Sequence, residues 1–182
     1  MHSHLTAGID EVGTGSFTHP TVICCCVLGY NIPNGVVKDS KKFSSEKKRS
    51  ESFLAIIDVT LYCKTYFVYQ EGNFKASLAH AVYDVRKAFP GITVVIDGNN
   101  NYGLDAHAVV KADSSHTAVA AASIVAKVRR DIRMNNTITT NDYGFSRHKG
   151  YGTPEHLAAL KAFGPLEGIH RMNIQAVKDS VK

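Results

Sequence analysis

Short apolar runs alternate along this chain with longer stretches whose apolar residues recur at helical spacing, a pattern that predicts strands interleaved with helices. A first strand is expected over residues 6–12, ending in Asp10 and Glu11. Residues 21–28, Thr-Val-Ile-Cys-Cys-Cys-Val-Leu, read as a strand covered on both faces. Residues 31–35, Asn-Ile-Pro-Asn-Gly, carry loop chemistry. Ser44 or Ser45 can cap a helix reaching about Ile57, with Phe53, Leu54 and Ile57 on one side and Lys47, Lys48 and Arg49 opposite. Loose alternation rich in Tyr, Phe, Val and Thr predicts a third strand over 59–69.

Asn73 can cap the next helix, where Phe74, Leu78, Ala81, Val82 and Val85 share a face until Pro90-Gly91 ends it. Residues 92–96 predict a fourth strand running into Asp97-Gly98, and 106–110 a short fifth leading into Lys111-Ala112-Asp113. A long helix is expected over 115–134, with Val119, Ala122, Val125 (or Ala126) and Arg129 marking its turns. Thr153-Pro154-Glu155 is a cap with proline at the first helical position, opening a helix to about Phe163. With no internal repeat and no linker, residues 1–182 are expected to form a single α/β domain.

Composition narrows the partners. An apolar content of 44% in 182 residues suits a folded domain. No run approaches the length of a membrane span, and Met1-His2-Ser3-His4 lacks the features of a signal peptide, so a soluble cytoplasmic protein with no membrane partner is expected. A net charge of +5 and a pI near 9.0 favour an anionic partner, nucleic acid first. Cys24-Cys25-Cys26 and the distant Cys63 contain no Cys-x-x-Cys pair; small apolar fillers of a buried strand is the better account than a zinc knuckle or a redox motif.

The candidate chemistry lies where elements end. Asp10-Glu11, Asp97 and Asp113 each follow an apolar strand pattern, and carboxylate oxygens are the donors that hard cations prefer. Four acids brought together would repel one another without cations between them, which predicts a pair of divalent ions. Local pattern leaves other readings open: Asp97 as a turn residue before Gly98, Asp113 as a helix cap. Asp10 and Glu11 point to opposite faces of a regular strand, so both reach one ion only if the strand bends or ends there. Gly13-Thr14-Gly15 can supply that break and let main chain approach a phosphate.

Lys38-Asp39-Ser40-Lys41-Lys42 could hold phosphates through Ser40 and its lysines, or be a solvated turn. In Arg147-His148-Lys149-Gly150-Tyr151-Gly152-Thr153, Tyr151 between two glycines suits stacking on a sugar or base, or simply closes the core. His170-Arg171 is a further cationic pair.

Taken in order, these segments resemble the type 2 ribonuclease H family, ribonuclease HII in particular, along nearly the whole chain. The resemblance is carried by Gly8-Ile9-Asp10-Glu11-Val12-Gly13, Asp39-Ser40-Lys41-Lys42, Ile96-Asp97-Gly98, Lys111-Ala112-Asp113, residues 120–128 with Arg130-Asp131, His148-Lys149-Gly150-Tyr151-Gly152-Thr153 and Ile169-His170-Arg171. It implies a ribonuclease H-like fold, a mixed sheet of about five strands flanked by helices with further helices at the C-terminus. It also implies metal-dependent cleavage of the RNA strand of RNA–DNA hybrids, or at ribonucleotides embedded in DNA, leaving 5′-phosphate and 3′-hydroxyl ends. By position the resemblance makes Asp10, Glu11, Asp97 and Asp113 the catalytic acids and ligands of two Mg2+ or Mn2+ ions. Asp131 becomes a supporting residue. Gly13, Thr14, Gly15, Ser40, Lys41, Lys149 and Tyr151 become nucleic-acid contacts, and a monomer is expected.

Thr14 stands where the family's bacterial pattern has arginine. Gly13-Thr14-Gly15 and residues 116–120 are more similar to ribonuclease HIII, although this chain begins almost at its first strand whereas ribonuclease HIII has a preceding domain. The alternatives are therefore a ribonuclease HIII-like preference for long hybrids and a non-catalytic nucleic-acid-binding module.

Overall fold

The computed structural model describes residues 5–29, 36–37 and 45–181. Strand β1 (Thr6–Val12) runs through the middle of a five-stranded mixed sheet, antiparallel to β2 (Thr21–Leu28) and parallel to β4 (Thr93–Asp97). Outside them, β3 (Thr60–Val68) pairs antiparallel with β2, and β5 (His107–Val109) parallel with β4, giving the order β3-β2-β1-β4-β5. The fifth strand is shorter than its apolar pattern predicts.

Every residue of β2 is buried, and strand alternation divides them between two layers. Ile23, Cys25 and Val27 join Ala7, Ile9, Val94 and Ile96 beneath the Leu78, Ala81, Val82 and Val85 stripe of α2 (Phe74–Ala88). Val22, Cys24, Cys26 and Leu28 face the other way, against α3 (Thr117–Asn135) and Ile56 of α1 (Glu46–Val59). Each fully buried Val, Leu or Ile side chain contributes roughly 1.5–3 kcal/mol.

Helix α3 comes very close to β1. A Cβ on Gly8 would stand 2.1 Å from the Val119 main-chain nitrogen, so only glycine permits this approach. That contact sets the depth at which the polar side of α3 meets the end of β1.

Ser45 caps α1, its hydroxyl accepting the Lys48 N–H at 3.2 Å. The buried face of this helix differs from the expected one. Ile56 and Ser52 are inside, Phe53 is half-buried, and Leu54 and Ile57 are 62% and 39% exposed. Ile56 fills the layer beside β2, and Ser52, one turn earlier, donates to the Val36 carbonyl, which fixes the helix rotation. Asn73 makes no side-chain cap; a 3-10 turn at Glu71–Asn73 leads into α2 instead.

Beyond α3 come α4 (Phe145–His148), α5 (Pro154–Phe163) and α6 (Gln175–Lys178), the expected C-terminal additions. They close a separate apolar cluster around Met134, Tyr143, Phe145, Leu160 and Val177. Thr153 caps α5 through its hydroxyl. Main-chain bonds from Phe17 N to Gly150 O (2.9 Å) and from His19 N to Ile169 O (2.8 Å) bind this C-terminal region to the loop after β1. No helix among the described residues is long and apolar enough to cross a membrane.

Candidate active site

β1 delivers two acids to the sheet's C-terminal edge. Asp10 is buried, its Oδ1 accepts the Glu11 N–H at 2.8 Å, and the Ser123 hydroxyl of α3 also bonds it. Burial raises the Asp10 carboxyl to about 7, opposed by Ser123 and reinforced by the charges of Glu11 and Asp97. Glu11 is also held above the usual carboxylate range, first by burial and then by Asp97. The expected bend at the two acids is not found: β1 stays regular through them, Asp10 pairing with Cys24 and Glu11 with Ile23, and breaks only after Val12, where Gly13 turns with φ +98°. Asp10 and Glu11 both line one cavity.

Asp97 lines it too, from the end of β4. Its Oδ1 accepts the Ala112 N–H at 2.6 Å, which fixes the 3-10 turn Ala112–Ser114 beside it. Asp113 sits in that turn and is buried, but it is not among the cavity-lining residues. Among the described residues, no three acids bring one oxygen each within 4.8 Å of one another.

The cavity has a volume of about 360 Å³ and its other walls are basic and glycine-rich. Arg49 and Lys127 face it, and both are held by buried Asp131, at 3.8 and 2.7 Å. Asp131 thus stands behind the wall, joined to both of these cations. Tyr151 forms part of the wall, with the Lys127 ammonium 5.7 Å and the Arg130 guanidinium 5.2 Å from its ring centre.

Gly13, Thr14 and Gly15 complete the lining, and two buried arginines clamp them. Arg171 donates to the carbonyls of Gly13 (2.9 Å) and Thr14 (2.8 Å) and to Thr21 Oγ1 (2.6 Å). Arg130 donates to Pro20 O (2.9 Å), Lys149 O (2.8 Å) and Ser16 Oγ (2.7 Å), joining the glycine loop to the loop of Tyr151.

Seven of the expected residues therefore converge: Asp10, Glu11, Asp97, Gly13, Thr14, Gly15 and Tyr151. Lys149 does not. Its backbone is left-handed at φ +53°, and its ammonium bonds Asn135 Oδ1 (2.5 Å) and Ser146 O (2.6 Å) outside the cavity wall. Ser40 and Lys41 lie outside the described residues. Arg49, Ser123 and Lys127 line the cavity without having been singled out as site residues. Ser123, Lys127 and Asp131 are four residues apart, a polar stripe on an otherwise buried helix, and that spacing was the available signal.

A mixed sheet in the order β3-β2-β1-β4-β5, with acids ending β1 and β4, is the ribonuclease H-like fold. The same fold is found in the ribonuclease H2 from Pyrococcus horikoshii OT3, with a TM-score of 0.72 at 23% identity over 97% of this chain and 96% of that one. Bst-RNase HIII in complex with Mn2+ also has it, with a TM-score of 0.72 at 18% identity over 97% of this chain and 68% of that one. Residues 92–177 match the family model for Ribonuclease HII. Ribonuclease HII of Shewanella amazonensis is 36% identical over 95% of this chain and 87% of its own length. The chain belongs to the ribonuclease HII family, whose members are endoribonucleases.

Proposed function

We propose that this protein hydrolyses the RNA strand of RNA–DNA hybrids and the phosphodiester at ribonucleotides embedded in duplex DNA, using acids that hold two divalent ions. The observation that carries the reading is the cavity in which burial, and after it the charge of Asp97, raises the proton affinity of Asp10 and Glu11, while Asp131 holds the nearby cations Lys127 and Arg49. Oxygen donors so left without a counter-charge fit Mg2+ or Mn2+.

Asp10, Glu11, Asp97 and Asp113 would hold the ions. Once bound, they supply Lewis-acid polarisation of a phosphoryl oxygen and a more acidic water. The chain's own groups do the positioning. Lys127 and Arg49 face the cavity as phosphate partners, in the part first expected of Lys149. The main chain of Thr14 and Gly15 is exposed to a strand's 2′-hydroxyl, the group that distinguishes RNA from DNA, with Gly13 lining the cavity as the buried root of the loop. Tyr151 offers a ring to the following sugar, and Ser40 and Lys41 keep the phosphate contacts that the family resemblance gives them.

The test is cleavage of three duplexes by the full chain with Mg2+ or Mn2+: a long hybrid, DNA with one ribonucleotide, and DNA alone. Cutting of the first two, leaving 5′-phosphate ends, is expected. Cutting of DNA alone, or of nothing, overturns the proposal. Thr14 is exposed in the cavity wall in place of a long cation, which favours a weaker grip on lone ribonucleotides; cutting of the long hybrid only would establish that narrower specificity.

A further inference from the structure

β2 and β3 bring three of the chain's four cysteines to one point. Cys26 and Cys63 are register partners across the antiparallel pair, and Cys24 is two residues away on the same face of β2. Their sulfurs form a triangle with edges of 3.4 Å (Cys26 to Cys63), 3.6 Å (Cys24 to Cys26) and 3.8 Å (Cys24 to Cys63). With metal–sulfur bonds of about 2.3 Å, ligand sulfurs stand roughly 3.8 Å apart in a tetrahedron and roughly 4.0 Å apart in a plane of three. The triangle's edges of 3.4, 3.6 and 3.8 Å lie within about 0.4 Å of the tetrahedral spacing and within about 0.6 Å of the planar one. Among the described residues it is also the only group of three Cys, His, Asp or Glu side chains with ligand atoms all within 4.8 Å of one another.

The surroundings select the kind of ion. Cys24 and Cys26 are fully buried among Val22, Ile56, Ala122 and Val125, a dry apolar shell. Cys63 is half-buried on β3, an edge strand, and gives the only one of the three sulfurs with a partial opening to solvent. Cys25, between the pair in sequence, points into the opposite layer. The four carboxylates of the active site are hard donors, whereas three thiolates with no oxygen partner are soft ones.

We propose that Cys24, Cys26 and Cys63 form a three-thiolate site for one soft cation of the copper(I) class, separate from the carboxylate cavity. Binding exchanges thiol protons for the metal and involves no change of oxidation state. The site sits next to the active site by construction, because Cys24 is the register partner of Asp10 across β1 and β2.

The experiment is an anaerobic titration of the reduced full-length chain with Cu(I) in excess Mg2+. It is read by sulfur-to-copper charge-transfer absorption and by competition with a colorimetric Cu(I) chelator. One ion per chain is expected. Cys63→Ser and Cys24→Ala should each weaken binding by more than about tenfold, since even the loss of groups that only orient ligands costs that much. Cys25→Ala should bind like the unaltered chain, and thermal melts confirm that each variant is folded. Absence of the absorption at one equivalent, binding unchanged in both Cys63→Ser and Cys24→Ala, or equal loss in Cys25→Ala would overturn the proposal. None of these readings depends on hydrolysis, so they stand or fall apart from the ribonuclease assignment.

Discussion

Asp97 Oδ1 accepts the Ala112 N–H at 2.6 Å, so the end of β4 and the turn that carries Asp113 are fixed to each other. One oxygen of Asp97 is thus committed to structure, leaving the other for the cavity. Asp97→Asn keeps an acceptor and should fold normally while losing cleavage. Asp97→Ala should lose cleavage and also about 1–3 kcal/mol of stability, because the buried N–H is left without a partner. Urea denaturation of the two variants checks the difference.

Asp10 predicts a pH-dependent cost in metal-free buffer. Its carboxyl titrates near 7 when folded against 3.8 when unfolded, so the folded chain keeps a proton that the unfolded chain releases. The stability this contributes is full below pH 3.8 and is lost as pH rises through about 7. Asp10→Asn should therefore be more stable than the unaltered chain at pH 8, by at most about 4 kcal/mol, with the gap closing at low pH. Adding Mg2+ should remove the advantage. Chemical denaturation in EDTA and in Mg2+ at pH 5 and pH 8 measures it.

Gly13 and Gly15 separate a structural demand from a functional one. Gly13 has φ +98°, and a Cβ there would lie 2.2 Å from Arg130 Nε, so Gly13→Ala should be destabilising by about 1–3 kcal/mol or more. Nothing lies within 4 Å of a Cβ on Gly15. Gly15→Ala should leave stability within about 1 kcal/mol and raise KM for a ribonucleotide-containing duplex. An unchanged KM would remove Gly15 from the substrate interface.

His156 and His170 of the C-terminal region form a linked pair of rings, both held below the usual imidazole range first by burial. His156 Nδ1 donates to Tyr151 O (3.0 Å), which leaves its Nε2 to accept from His170 Nε2 (3.1 Å). His170 Nδ1 accepts the Leu166 N–H (2.8 Å) and has no room for a second proton. Burial, then His156, lowers His170 to about 4 from its usual 6.5, and the unfolded chain takes up that proton first. This stability is full above pH 6.5 and falls as pH drops toward 4, by about 3 kcal/mol over the window. Because Asp10 runs the opposite way over the same window, the loss is read as the difference in urea midpoints between the unaltered chain and His170→Asn, which should shift in favour of the variant between pH 7.5 and 4.5.

Much of this was legible in the sequence, and the exceptions have physical causes. Strand β2 was clear because all eight of its residues are buried, which leaves one continuous apolar run. The acids were legible because each closes an apolar run. The rotation of α1 was not, since Leu54 and Ile57 are exposed apolar residues and Ser52 is a buried polar one. Nor were the tasks of Arg130, Arg171 and Lys149, which look alike as cations in sequence. The first two are buried by carbonyl acceptors from distant loops, and a left-handed backbone at Lys149 carries its ammonium to Asn135. Such pairings exist only once the chain is folded. Cys63 joins Cys24 and Cys26 for the same reason, through the register of β2 and β3.

The central claim, that four acids share the holding of divalent ions, is tested most directly by Mn2+ binding to the folded chain, followed by paramagnetic resonance. Asp113 is the critical position, being buried beside Asp97 without lining the cavity. Two Mn2+ per chain are expected, with affinity falling more than about tenfold in both Asp10→Asn and Asp113→Asn. Unaltered Mn2+ binding in either folded variant would contradict the account.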